Sequence, residues 1–207
     1  MTQEVVMKKG GKIALGCLAF LVIVVIAIAI SVKGTYNQFV TLEENVRQAW
    51  AQVQNVYQRR LDLIPNLVET VKGYASHERE TLQAVTEARS RMGGVTQLRA
   101  EDLTPENMAR LQEAQAGLAS ALQRLMVVVE RYPDLKANQN FIRLQDELAG
   151  TENRIAVERR RFNEAVQLYN RTIRRFPQLF WARLFGFREK PYFEAVEQAQ
   201  EAPKVAF

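Results

Sequence analysis

Positions 13 to 32 read IALGCLAFLVIVVIAIAISV, twenty residues without a charge. At about 1.5 Å per residue such a helix reaches roughly 30 Å, the thickness of a bilayer's hydrocarbon core. Beyond it the pattern changes. Phe39, Val46, Trp50, Val53 and Tyr57 recur at heptad-like intervals among polar residues, which predicts a helix packed on one face. The same periodicity continues through Ile64, Leu67, Val71, Leu82 and Val85. It returns in Met108, Leu111, Leu118, Leu122, Leu125 and Val129, and again from Phe141 and Leu144 through Ile155, Phe162, Val166, Tyr169 and Ile173 to Phe176. No stretch alternates as a strand would. The expectation is an all-α chain: a transmembrane helix, then an up-and-down four-helix bundle with long helices, then a short aromatic tail.

Punctuation sets the expected boundaries. Gly34 would end the apolar helix, and Thr35 with Gln38 has capping-box spacing for the next. Pro65 allows two readings, a kinked continuous helix or a hairpin. The hairpin is favoured. Arg59 and Arg60 would close one helix, Asp62 would cap the second, and residues 35–61 and 62–92 would match the later helices in length. Met92-Gly93-Gly94 ends that part. Thr104-Pro105-Glu106 is a strong helix start, Tyr132-Pro133-Asp134 a stop, and the last long helix begins near Asn138. The organisation expected is a basic N-terminal tail (1–12), an anchor (13–33), a bundle (34–177) and a C-terminal tail (178–207) lying on bundle or membrane.

Flanking charge orients the anchor. Lys8, Lys9 and Lys12 precede it, whereas Lys33 and then Arg47 follow. The positive-inside rule keeps the lysine-rich end in the cytoplasm and puts the bundle outside; a bundle facing the cytoplasm is the alternative. A cleaved signal peptide competes, with Ala27-Ile28-Ala29 as cleavage site, but the apolar run exceeds the usual core of such a peptide. A lipoprotein signal at Cys17 is disfavoured because the apolar run follows the cysteine. Cys17 is the sole cysteine, so no intramolecular disulfide forms. The net charge of +5 is modest and gives no reason to expect nucleic acid.

Catalytic constellations are sparse. Nucleophilic catalysis needs Ser, Cys or Thr beside a base, yet Cys17 falls in the anchor and His77 is the single histidine. Bundle metal sites use paired Glu-x-x-His motifs, which this chain lacks. Glu69, Glu78, Glu130, Glu147 and Glu152 read as solvated or ion-paired carboxylates. No enzyme activity and no cofactor is expected.

Three groups of residues invite a functional reading. Arg171, Arg174 and Arg175 end the last long helix, and Phe180, Trp181 and Phe185 follow, a combination suited to lipid headgroups or a partner. Thr151, Glu152, Asn153 and Arg154 interrupt an apolar stripe and suggest a buried polar layer or a ligand contact. The turn with Asp134, Lys136, Asn138 and Asn140 reads as a capped helix–helix connection or a docking edge.

The segments RRLDLIPNLVETVKGYASHE (59–78), YPDLKANQNFIRLQDELAGTENRI (132–155), RRFNEAVQLYN (160–170) and FEAVEQAQEAPKVAF (193–207) strongly resemble the LemA family. Tyr36-Asn37 after the leading helix fits it too. The resemblance implies a membrane-anchored four-helix bundle found widely in bacteria and no agreed activity. A related domain occurs in proteins that act in building magnetosome membranes. The resulting expectation is a non-enzymatic scaffold of the bacterial inner membrane with protein partners, and with self-association as an open option. A ligand-binding sensor bundle and an enzyme with a carboxylate site are the alternatives.

Overall fold

The computed structural model describes residues 3–194, with side chains from 18 onward except 19 and 28. Residues 195–207, the end of the expected C-terminal tail, lie outside the described residues, as do the side chains of Lys8, Lys9, Lys12 and Cys17. The described chain is all helical: α1 (Gln3–Tyr74), α2 (Arg79–Thr96), a 3₁₀ turn (Ala100–Asp102), α3 (Pro105–Val129), the single turn α4 (Pro133–Lys136), α5 (Gln139–Ile173) and α6 (Gln178–Phe185).

Two boundaries expected inside α1 differ from the sequence reading. Gly34 does not end the apolar helix, and Thr35 does not cap a new one: the helix runs through both. A helical glycine costs only about 1 kcal/mol against alanine, and nothing at Gly34 turns the backbone left-handed. Pro65 does not open a hairpin either. Lacking an N–H, it leaves the Leu61 carbonyl without its helical donor. Arg89 Nε of α2 donates to that carbonyl at 2.8 Å. The orphaned acceptor becomes a tie between two helices, and Asp62, expected as a cap, instead accepts from Gln58 at 2.7 Å. The reversal comes later, at Ala75–Glu78, with His77 exposed in the turn rather than on a helix.

An unbroken helix of this length needs partners along its buried face. α5 supplies them. Asn138 Nδ2 donates to the Tyr74 hydroxyl (2.9 Å), Arg60 meets Glu152, and Trp50 meets Phe162, so α5 runs antiparallel along α1 from its far end. Phe39, Leu42, Val46, Trp50, Val53, Tyr57, Leu61, Ile64, Leu67, Val71 and Ala75 bury one face of α1. Their three- and four-residue spacing is the amphipathic stripe of a core helix.

α2 lies against α1, and α3 packs along α2. Glycines 93 and 94 do not stop α2, which extends to Thr96. Its end is received by α1: Trp50 Nε1 donates to Leu98 O (2.7 Å) and Gln54 Nε2 to Thr96 O (2.6 Å). These bonds occupy carbonyls that a helix C-terminus leaves unpaired. At α3 the Thr104 side chain accepts from the Asn107 N–H with Pro105 in the first turn.

One consequence is measurable. Replacing Arg89 with Met should destabilise the chain by about 1–3 kcal/mol, because the Leu61 carbonyl loses its donor. In a Pro65→Ala background the residue at 65 regains an N–H for that carbonyl, so the Arg89→Met loss should shrink by about 1 kcal/mol in a denaturant double-mutant cycle.

Candidate functional site

The apolar segment of α1 stands clear of the rest of the molecule. Every described side chain from Leu18 to Ser31 is exposed, and burial begins only at Phe39. Among the described residues α1 is the one helix long and apolar enough, by length and composition, to cross a membrane. At its root sits α6.

Three aromatic contacts hold α6 and the residue after its cap there. Tyr36 meets Phe185 edge-on at 5.2 Å between ring centroids and Phe187 at 5.8 Å, and Phe39 meets Phe187 at 5.1 Å. Gly186, at φ 80°, ends α6, and the Phe187 N–H returns to Ala182 O at 2.9 Å. That left-handed turn favours glycine. Ala182 is buried and Trp181 half-buried, stacked on Phe185.

The opposite face of α6 is bare. Phe180 and Leu184 are 62% and 63% exposed, and Phe176 just before them is 89% exposed. Phe180 and Leu184, four residues apart on α6, share one exposed apolar face, and Phe176 is exposed in the turn before it. Phe176 therefore does not continue the buried stripe of α5, as its spacing suggested; α5 ends at Ile173 and the ring turns outward. Basic residues surround this face. Arg171, Arg175 and Arg183 are exposed with no ion pair among the described residues, and Arg174 lies 3.6 Å from Glu189. The sequence-selected residues thus divide. Arg171, Arg174, Arg175 and Phe180 face outward, while Phe185 holds the platform to α1 and Trp181 stacks on Phe185. Leu184 was missed, although its four-residue spacing from Phe180 is visible in the sequence.

The other end of the molecule carries the Asp134–Asn140 turn, which is a latch. Glu78 accepts from Arg131 Nη2 (2.9 Å) and the Tyr132 hydroxyl (3.1 Å). The Asn138 carboxamide oxygen accepts from the Asn140 and Phe141 amides and caps α5. Lys136 pairs with Glu130 at 2.6 Å. Asp134 is exposed and supplies no cap to α4, and the Asn140 side chain is exposed.

The four-residue polar layer is corrected. Thr151 is buried, but its hydroxyl donates to Glu147 O one turn back, at 2.7 Å. Asn153 and Arg154 face solvent. Only Glu152 reaches a buried polar group, Arg60, which is 6% exposed. Arg60 Nη1 approaches the carboxylate to 2.7 Å but without hydrogen-bond alignment, so the contact is an ion pair at the edge of the core. Arg60 was assigned to a helix end, and only α5 packing over it revealed its burial. Among the described residues no group of three His, Cys, Asp or Glu side chains could hold a metal ion.

The sequence profile of the LemA family matches residues 49–207. The chain belongs to the LemA family. It is 28% identical over 189 residues to Magnetosome protein MamQ 2 of Paramagnetospirillum magneticum, covering 84% of this chain and 70% of that protein. It is 27% identical over 195 residues to Magnetosome protein MamQ of Magnetospirillum gryphiswaldense, covering 85% and 71%. It is 24% identical over 172 residues to Protein LemA of Metamycoplasma hominis, covering 83% and 73%. The LemA match takes in α2 to α6 and the latch. It begins after Tyr36 and Phe39, the residues on which α6 rests.

Two buried tyrosines of this LemA chain give a pH signature. Burial pushes Tyr57 up to about 12, the nearby Glu152 charge adding to the effect and Arg159 and Arg60 opposing it. Burial raises Tyr169 as well, and its hydroxyl has no hydrogen-bond partner of good geometry, although the Arg188 main chain lies close. A hydroxyl harder to ionise when folded stabilises the fold below the unfolded pKa near 10; that contribution falls as pH rises from 10 to 12. Alkaline unfolding followed by tyrosinate absorbance should show a stability loss of up to about 1.4 kcal/mol per pH unit per tyrosine. Tyr57→Phe should make the loss shallower. Thr151→Val should shift stability by less than about 1 kcal/mol, since the lost bond lies within one helix.

Proposed function

We propose that this LemA-family protein is a non-enzymatic scaffold: a four-helix bundle, built on α1, α2, α3 and α5, held against the bacterial inner membrane by the apolar segment of α1. The observation that carries this reading is the seating of α6. Its exposed face of Phe180 and Leu184, with Phe176 exposed in the turn before it, lies at the root of the all-round apolar segment, tied there through Tyr36 and Phe185. Tyr36 follows Val32 by four helical residues, about 6 Å along the axis. An anchor spanning 13–32 brings that face and its arginines to the headgroup layer, where aromatic rings and cations are favoured. α6 then makes a second membrane contact and fixes the bundle's orientation on the bilayer. The distal latch points away from the membrane and is the surface open to protein partners. Similarity to two magnetosome proteins is consistent with work at a membrane. The flanking lysines favour a cytoplasmic N-terminus and an extracytoplasmic bundle.

The sensor and enzyme readings have less behind them. Thr151 has its hydrogen bond within its own helix. The groove of about 510 Å³ between α2 and α3 is lined by alanines, Gly117 and charges of both signs rather than by converging carboxylates.

The test uses the full chain in vesicles. Trp50→Phe leaves Trp181 as the sole tryptophan. Brominated phospholipid should quench Trp181 fluorescence, more strongly with anionic lipid. Leu184→Glu should reduce quenching while the protein still resists alkaline extraction. Unquenched Trp181 in protein that resists extraction sinks the second contact; complete extraction sinks the anchor.

A further inference from the structure

After Gly186 the chain leaves α6 and runs back along α5, and two asparagines grip its main chain. Asn170 donates through Nδ2 to Lys190 O (2.8 Å) and accepts the Lys190 N–H (2.9 Å). Asn163 does the same to Phe193, donating to its carbonyl and accepting from its amide, both at 2.9 Å. Each carboxamide thus replaces the peptide group of a neighbouring strand. The spacing makes the match work. Seven helical residues separate the asparagines, a rise of about 10.5 Å, and three extended residues cover about 10 Å. This is the main-chain recognition by which a sheet edge accepts an added strand, here presented by a helix.

Two side chains of the strap are also read. Lys190 Nζ lies 3.0 Å from Glu43, with both groups largely shielded. Phe193 is buried against Trp50 (6.2 Å) and Phe162 (5.4 Å), and the Arg159 guanidinium stands over its ring at 4.6 Å. Between them Pro191 and Tyr192 have no hydrogen-bonded partner among the described residues, and Tyr192 is exposed. Main-chain bonds for register, one anionic pocket and one aromatic pocket are the parts of a peptide-recognition site.

We propose that the α1–α5 cleft is a peptide-binding site for an extended segment with a cation followed three residues later by an aromatic ring, and that residues 187–194 occupy it as a built-in ligand. A tethered ligand competes at an effective concentration in the millimolar range, so a segment of the same pattern enters only when the strap is released or outcompeted. The site adjoins the α6 platform, sharing Phe187, which packs on Tyr36 and Phe39.

A fluorescent peptide of residues 187–194 tests this with the full chain in detergent micelles. Phe193→Ala weakens the strap and leaves the cleft intact; Lys190→Glu does so at the strap's other end and serves if the first variant loses helicity. Either variant should bind the peptide saturably, at least about tenfold more tightly than the unaltered chain. Adding Asn163→Ala or Asn170→Ala, or replacing the peptide's phenylalanine by alanine, should weaken binding about tenfold. Glu43→Lys should invert the charge preference and favour a peptide with glutamate at the lysine position. Two results overturn the proposal: a strap-released variant with unchanged circular dichroism that binds no peptide, or binding that ignores both asparagines.

Discussion

The continuity of α1 is the constraint on which the molecule depends. One helix is apolar all round over its exposed first part and apolar on one side from Phe39 onward. Because no joint intervenes, the rotational setting of the core stripe also sets the azimuth at which α6 sits beside the exposed segment. Tyr36 is the link: it belongs to the helix that carries the apolar segment, and it holds Phe185 and Phe187. A flexible joint at Gly34 would have uncoupled the two.

Pro65 shows how that continuity is maintained at its weakest point. A proline in a helix removes one donor and strains the preceding turn. Here the carbonyl left over faces α2, and Arg89 fills it. The same economy of unpaired carbonyls recurs where Trp50 and Gln54 close the end of α2. In both places α1 is bound to α2 through main-chain acceptors, which accept only a donor at the right height. Apolar packing is tolerant of sliding, whereas these bonds are not. They set the register of α2 against α1, while at the far end the Tyr74–Asn138 bond ties α1 to the start of α5 and the Glu78–Arg131 bond joins the start of α2 to the end of α3.

Much of the core was legible from periodicity. Trp50, Tyr57, Leu111, Leu118, Phe162 and Val166 were read as buried from spacing alone, and they are. Thr104 and Asn138 were legible as caps because a cap is a local bond between near neighbours. The candidate sites were less so. Thr151 through Arg154 looked like a layer because four polar residues sit together in sequence, yet consecutive helical positions point in different directions, and only Thr151 faces inward. Phe176 looked buried because its spacing continued the α5 stripe after the helix itself had ended. The two asparagines of the strap carry no signal in isolation, since their partners lie twenty and thirty residues on.

Composition and periodicity by themselves determined an all-helical chain, one segment fit to cross a bilayer, and the core face of each long helix. Those properties depend on residues within a few turns of one another. The tertiary structure decided what long-range partners control: that α1 passes through Pro65, that Arg60 is buried, that α6 docks at Tyr36 with its other face bare, and that the main chain at Lys190 and Phe193 is held by α5. Each is a contact between distant parts of the chain, where an unpaired backbone or apolar group takes whichever partner the fold brings to it.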